Sequence, residues 1–279
     1  MIYLLLAVAS SAMVSICMRL SNKHVNNEMG MFMANYAVCI ALSWAFMGAF
    51  PIVRWDSSVS VMFILGIVSG ILYLVSFMAM KTNMKHNGIV LTSTFMKLGV
   101  LIPTLMAVFV FKEIPRWTQV VGIVLSVIAI ITINYEKDST QAVNRKSWLL
   151  GLLVLSGVTD AMANIYEQFG SAVLKDSYLL MTFAAAFLLA VILNVRTKEK
   201  ISVKDLLFGC LIGVPNYFSA RFLLLALGFV DAMLVYPMYS VATIVTVTGV
   251  GVLCFHEKLS KKKIAALILI GTALIMLNV

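Results

Sequence analysis

Apolar runs of about twenty residues, parted by short polar clusters, recur along the whole chain, from IYLLLAVASSAMVSI after Met1 to IAALILIGTALIML at residues 264–277. A run of that length crosses a hydrocarbon layer of ~30 Å as a helix, the form that satisfies its own backbone hydrogen bonds in lipid. Ten such helices are predicted, near residues 2–21, 30–53, 59–80, 87–111, 117–135, 147–168, 177–195, 205–228, 232–254 and 263–279. The polar turns between them are too short to hold a soluble domain. The expected fold class is an all-α integral membrane protein with ten transmembrane helices.

The pattern also repeats. Residues 111–134, FKEIPRWTQVVGIVLSVIAIITIN, return as residues 255–278, FHEKLSKKKIAALILIGTALIMLN. Phe111, Glu113, Ala129, Ile131 and Asn134 reappear as Phe255, Glu257, Ala273, Ile275 and Asn278, all at one offset of 144. That period is half the chain, too long for a solenoid. It predicts two five-helix repeats, 1–135 and 147–279, joined by a polar linker at 136–146 (EKDSTQAVNRK). Five crossings are an odd number, so the second repeat enters the membrane from the opposite side, giving an inverted pair about a pseudo-two-fold axis.

Composition agrees. The 279 residues are 62% hydrophobic and 12% charged, with a mean hydropathy of +1.01, far from the half apolar, quarter charged average of soluble domains. Met1 leads straight into an apolar run with neither a basic n-region nor a small-residue cleavage site, which predicts a retained first helix rather than a removed signal peptide. Cys17, Cys39, Cys210 and Cys254 lie in or at the ends of apolar spans without a CxxC pair, so neither disulfides nor a metal site is expected. The net charge of +9 arises in membrane-flanking turns and does not predict a nucleic-acid partner. Fifteen Lys and Arg fall in the turns after the odd-numbered helices and four in the alternate turns, which predicts that the former face the cytoplasm and that both termini lie outside.

The remaining two cations, Lys97 and Arg221, lie inside helices, as does Asp160. An ionised group at the bilayer centre costs roughly 2.5–3.5 kcal/mol even on lenient scales, so these side chains face protein or a watery cavity. They would line a substrate or proton path, or form an ion pair, Asp160 with Arg221 or Lys97, that only fixes packing. Asp160, Asn164 and Glu167 recur at i, i+4 and i+7 on the sixth helix, and Tyr236, Ser240 and Thr243 do so on the ninth. Asp160 and Glu167 are the candidate proton or counter-ion sites. Lys97, Arg221, Tyr217, Asn216, Tyr73, Ser93, Tyr236, Tyr239, Ser240 and Asn164 are the candidate substrate-binding residues. Tyr36, Tyr73, Tyr217, Tyr236 and Tyr239 would serve as an aromatic cage for an ammonium group, or as packing residues with bonded hydroxyls. Pro215, in GVPNY of the eighth helix, predicts a kink with exposed polar backbone. Phosphate loops, HExxH, paired Asp-rich motifs and nucleophile elbows are absent, so no enzyme and no cofactor are expected.

Ten helices, a five-helix repeat and two FxE turns at 111–113 and 255–257, each followed by a helix ending in Asn, resemble the drug/metabolite transporter superfamily, EamA-type branch. Ala79-Met80-Lys81 and Ala226-Leu227-Gly228 are similar to its Ala-Leu-rich signature. The resemblance implies alternating access, a central cavity and no ATPase of its own. It also implies cytoplasmic termini, against the charge count. The leading expectation is a secondary transporter of a small polar, zwitterionic or anionic metabolite in the cell membrane of a bacterium, open to proton coupling, as a monomer or homodimer among membrane lipids. The alternatives are a proton-coupled exporter of cationic or lipophilic compounds, and a non-transporting scaffold or lipid-carrier translocation partner.

Overall fold

A computed structural model describes residues 1–21, 24–47, 56–87, 89–134, 146–197, 200–255 and 261–278. Among these residues every regular element is helical: α1 (Ile2–Ser21), α2 (Glu28–Met47), α3 (Ser57–Asn87), α4 (Ile89–Leu98), α5 (Leu101–Phe109), α6 (Trp117–Asn134), α7 (Lys146–Phe169), α8 (Lys175–Thr197), α9 (Val203–Leu227), α10 (Ala232–Phe255) and α11 (Lys261–Asn278). Among the described residues six helical spans are long and apolar enough to cross a membrane, and four further apolar helices are shorter. The eleventh label arises because the fourth predicted span is broken into α4 and α5. The offset of 144 is written into the helix starts: α1 and α6 begin at 2 and 117, and α7 and α11 at 146 and 261. The second FxE turn, Phe255-His256-Glu257, and the linker at 136–145 lie outside the described residues or their side chains.

The chain divides into two compact units, each drawing helices from both sequence repeats: residues 1–74 with 165–228, and residues 75–164 with 229–279. In the first unit α9 packs on α1 and α2, and α2 on α8. Glycine permits the closest of these crossings. A Cβ on Gly209 would stand 2.3 Å from the Met31 carbonyl oxygen, and one on Gly213 2.7 Å from that of Asn35. The equivalent pair in the other repeat does the same, since a Cβ on Gly70 of α3 would lie 2.3 Å from the Thr182 carbonyl oxygen on α8. Small residues are what let helix backbones approach in lipid, where no hydrophobic force drives helices together. α9 begins on a capping box: Ser202 Oγ accepts from the Asp205 N–H at 3.2 Å, while Asp205 accepts from the N–H groups of Ser202 and Asn26 at 2.8 and 3.0 Å.

A kink is predicted at Pro215, and the helix is continuous through it. α9 runs unbroken from 203 to 227, and Pro215 is buried within it. Nearby, the Cys39 thiol of α2 donates to the Gly213 carbonyl at 3.4 Å and ties the two helices together. The break is instead in the fourth span. Pro103 has no N–H to offer the Gly99 carbonyl, which accepts from Ile102 at 2.9 Å, one residue short of an α-helical bond. Gly157 of α7 packs against this break, where a Cβ would meet the Gly99 carbonyl oxygen at 2.5 Å. The rest of the second unit pairs α6 with α11 and α4, and α10 with α5 and α11.

Candidate functional site

The first unit holds Arg221, Tyr217, Asn216, Tyr73 and Glu167 of the sequence-predicted residues. Arg221 meets Asp176 of α8, with Nη1 3.1 Å from Oδ1 and Nη2 3.3 Å from Oδ2, a two-point contact between a planar guanidinium and a carboxylate. Its Nη1 also donates to the Tyr217 hydroxyl one turn back. The guanidinium carbon lies 4.9 Å from the Phe46 ring centroid and 5.9 Å from that of Tyr217, and Phe46 stacks on Tyr217 at 5.9 Å. The pair is shielded, with side chains only 19% and 29% exposed. Glu167 forms an ion pair with Lys175, Oε2 to Nζ 2.5 Å. Asn216 donates to Asn35 at 3.2 Å and ties α9 to α2. Tyr73 is half-buried on α3.

Sequence reading missed Asp176. It follows Lys175 at the start of a span, where an adjacent cation and anion read as a solvated helix end. The other polar ends it passed over are Asp205, described above, and the inward role of Glu113. The N–H groups of Ala232 and Met233, in the first turn of α10, donate to the Glu113 carboxylate at 3.2 and 2.8 Å. A carboxylate at a helix N-terminus satisfies donors that have no partner within the helix. Burial pushes the Glu113 carboxyl up from its ordinary 4.5, and nearby Asp231 adds to the rise, while the two N–H bonds pull it down.

The second unit holds Lys97, Asp160, Asn164, Tyr236, Tyr239 and Ser240, and also Ser93, whose side chain lies outside the described residues. Lys97 sits in the last turn of α4, at the break, where its charge complements the negative end of the helix dipole. Past the break, α5 opens at Val100 with no side-chain cap. Lys97 and Asp160 of α7 interact electrostatically, so of the two cations weighed for Asp160 it is Lys97 that faces it within this unit. Asp160 is exposed and Lys97 partly so, although both lie in apolar stretches. One turn along α7, Asn164 is 1% exposed and its Nδ2 has no hydrogen-bond partner among the described residues. Buried amides are normally paired, and an orphan marks a position that a ligand or water can complete. Tyr236, 1% exposed, donates from its hydroxyl to the Asp160 carbonyl at 2.8 Å and fixes this turn of α7 to α10. Ser240 follows Tyr236 on the same face of α10, buried, and Tyr239 is half-buried.

Residues 1–135 match the EamA-like transporter family. An uncharacterized protein of Haemophilus influenzae is 25% identical over 190 residues, which cover 66% of this chain. The match spans 65% of that relative's length, a little under two thirds. A solved crystal structure superposes with a TM-score of 0.76 at 14% identity, covering 99% of this chain and 96% of that one, a likeness of fold alone.

Proposed function

We propose that this chain, EamA-type over its first 135 residues and so a multi-pass membrane protein of the drug/metabolite transporter superfamily, is a secondary active transporter of a small zwitterionic or anionic metabolite. The observation that carries the reading is the Lys97–Asp160 pair: opposite charges on α4 and α7, at a helix break inside apolar spans, with Asp160 exposed and Lys97 partly so. Discontinuous helices form ion and substrate sites in many secondary transporters, because the break offers helix ends and backbone groups at membrane depth.

In this reading a substrate carboxylate is received by Lys97 and the uncapped N-terminus of α5, with the Asn164 amide donating alongside, and a substrate ammonium by Asp160. Asp160 is also the group that would take up a proton when substrate leaves, and the chain alternates access between the two sides. Tyr236 holds Asp160 in place through its backbone and does not itself bind. Arg221, already met by Asp176, holds α8 to α9 instead of receiving substrate. The chain resides in the cell membrane, with both termini outside by its charge asymmetry.

The test is ligand-dependent thermal stability of the purified protein across amino acids, organic anions, sugars, nucleosides and organic cations, since a ligand that binds the native state raises stability by mass action. Amino acids or organic anions raise the melting temperature of the wild type, and the rise disappears in Asp160→Asn or Lys97→Met. Shifts that persist in both variants overturn the site. A second reading, export of lipophilic cations, draws on the ring cluster of the first unit, where Phe46 and Tyr217 already hold a cation beside a carboxylate. It predicts shifts with organic cations only, unaltered in Lys97→Met.

A further inference from the structure

α5 ends in the turn that leads to α6, and that turn reaches α10, the helix whose Tyr236 holds Asp160. The end of α5 closes tightly: the N–H groups of Val110 and Phe111 both donate to the Met106 carbonyl, at 2.9 and 3.1 Å, and that of Glu113 donates to the Ala107 carbonyl at 3.0 Å. Between them Lys112 has a φ of 58°, a left-handed backbone that a residue with a side chain seldom adopts. Strain of this kind persists only where the surroundings over-determine it, and it gathers at functional positions. Here it turns the chain out of α5. The Glu113 carboxylate that follows lies on the first turn of α10, 2.8 Å from the Met233 nitrogen and 3.2 Å from that of Ala232.

That first turn depends on an outside partner more than most. Ala232, Met233 and Val235 are buried, so water is a poor substitute for the partners of their N–H groups. The Asp231 carbonyl accepts from Leu234 and Val235, at 3.0 Å each, and the N–H groups of Ala232 and Met233 go to Glu113. Within the helix, Pro237 brings no N–H to the Met233 carbonyl four residues back, which removes one of the bonds that tie the first turn to the rest of α10. Tyr236 stands at that junction. Its hydroxyl donates to the Asp160 carbonyl at 2.8 Å, and so the place of the Asp160 turn on α7 depends on where the start of α10 is held.

From this chain of contacts we propose that Glu113 is a positioning residue for the Asp160 site: it anchors the first turn of α10, through which Tyr236 sets the place of the Asp160 turn, and does not itself touch substrate. The turn between α5 and α6 thereby governs how strongly the site binds. The proposal rests on the reading of Asp160 as a substrate group.

The sequence supplies its own reporters, because it contains two Asp-Ala steps, Asp160-Ala161 at the site and Asp231-Ala232 at the start of α10. Full-length protein in lipid nanodiscs, isotope-labelled at the aspartate backbone carbonyl carbon and the alanine nitrogen, gives one carbonyl–amide NMR signal for each, with no ligand required. A carbonyl carbon moves upfield when it loses a hydrogen bond. Tyr236→Phe moves the Asp160 signal upfield and leaves that of Asp231 in place. Glu113→Ala moves both, the Asp160 signal again upfield, while Glu113→Gln, whose amide oxygen still accepts from the α10 N–H groups, keeps the Asp160 signal at its wild-type position. Added to Tyr236→Phe, Glu113→Ala shifts the Asp160 signal no further. A change confined to Asp231 in Glu113→Ala overturns the proposal, as does a double variant that moves Asp160 beyond Tyr236→Phe alone. Should Glu113→Ala fail to fold, Glu113→Asp, one methylene too short to reach both N–H groups, carries the same expectation and the same overturning result. Melting shifts that persist in Asp160→Asn would instead sink the substrate reading alone, since these signals are recorded without ligand.

Discussion

The two units each hold a cation and a carboxylate inside apolar helices, and they treat them differently. In the first, Arg221 and Asp176 share a two-point contact, the Tyr217 hydroxyl takes another donor, and Phe46 covers the guanidinium. In the second, Lys97 and Asp160 attract each other across a broken helix while Asp160 remains exposed and Asn164 keeps an amide unpartnered among the described residues. A buried charge must be compensated, but the compensation need not be complete. Where packing supplies every partner, the pair is a fastener between helices. Where it leaves bonding capacity unused, the pair is suited to a polar ligand.

The strongest way to break the contrast is to remove the frame that closes the first pair. Gly209→Leu drives a side chain into the Met31 backbone, which cannot step aside as a flexible side chain would. The loss should exceed the about 1–3 kcal/mol of ordinary overpacking, and gel filtration should show aggregated protein in place of a single symmetric peak. Next in size, Asp160→Asn should leave the folded protein intact yet weaken substrate binding about 10–100-fold, the worth of a charged hydrogen bond of about 1.5–3 kcal/mol. Isothermal titration with the ligand found by thermal screening measures it.

Asp176→Asn should show the opposite profile, with binding retained and stability lowered by about 1–3 kcal/mol, because Arg221 is left shielded without its counter-charge. Combining it with Arg221→Gln should restore part of that loss, and a thermal-unfolding double-mutant cycle would read the coupling. The smallest effect concerns Glu113. Its carboxyl in the folded protein titrates above its ordinary 4.5, so the folded state binds the proton more readily than the unfolded chain. Its contribution to stability is therefore present below pH 4.5 and is lost as pH rises through the raised folded value. Melting curves of the wild type and Glu113→Gln across that window should differ in slope, with the variant the flatter.

Some of this was legible residue by residue. Lys97, Asp160 and Arg221 stood out because charges in apolar spans are costly, and that cost is a property of the local sequence. Gly70 of α3 and Gly209 and Gly213 of α9 can be read in the sequence as small residues within apolar helices. Their partners were not legible, since nothing local to Gly209 points to Met31, or local to Gly70 to Thr182. Pro215 removes only its own bond to the Leu211 carbonyl, and α9 continues through it. Pro103 carried the same signal and acted on it, with Gly99 beside it and Gly157 packed against the bend.

By itself, the sequence determined that the protein is an all-helical membrane chain, where its apolar helices run and that its pattern repeats after 144 residues, because hydrophobic run length and periodicity report solvent preference one segment at a time. Tertiary structure alone decided that Arg221 meets Asp176, that Asp160 answers Lys97, and that Glu113 grips a helix 119 residues further on. A side chain's partner depends on which helix faces are brought within a few ångströms, and neither hydropathy nor period encodes that.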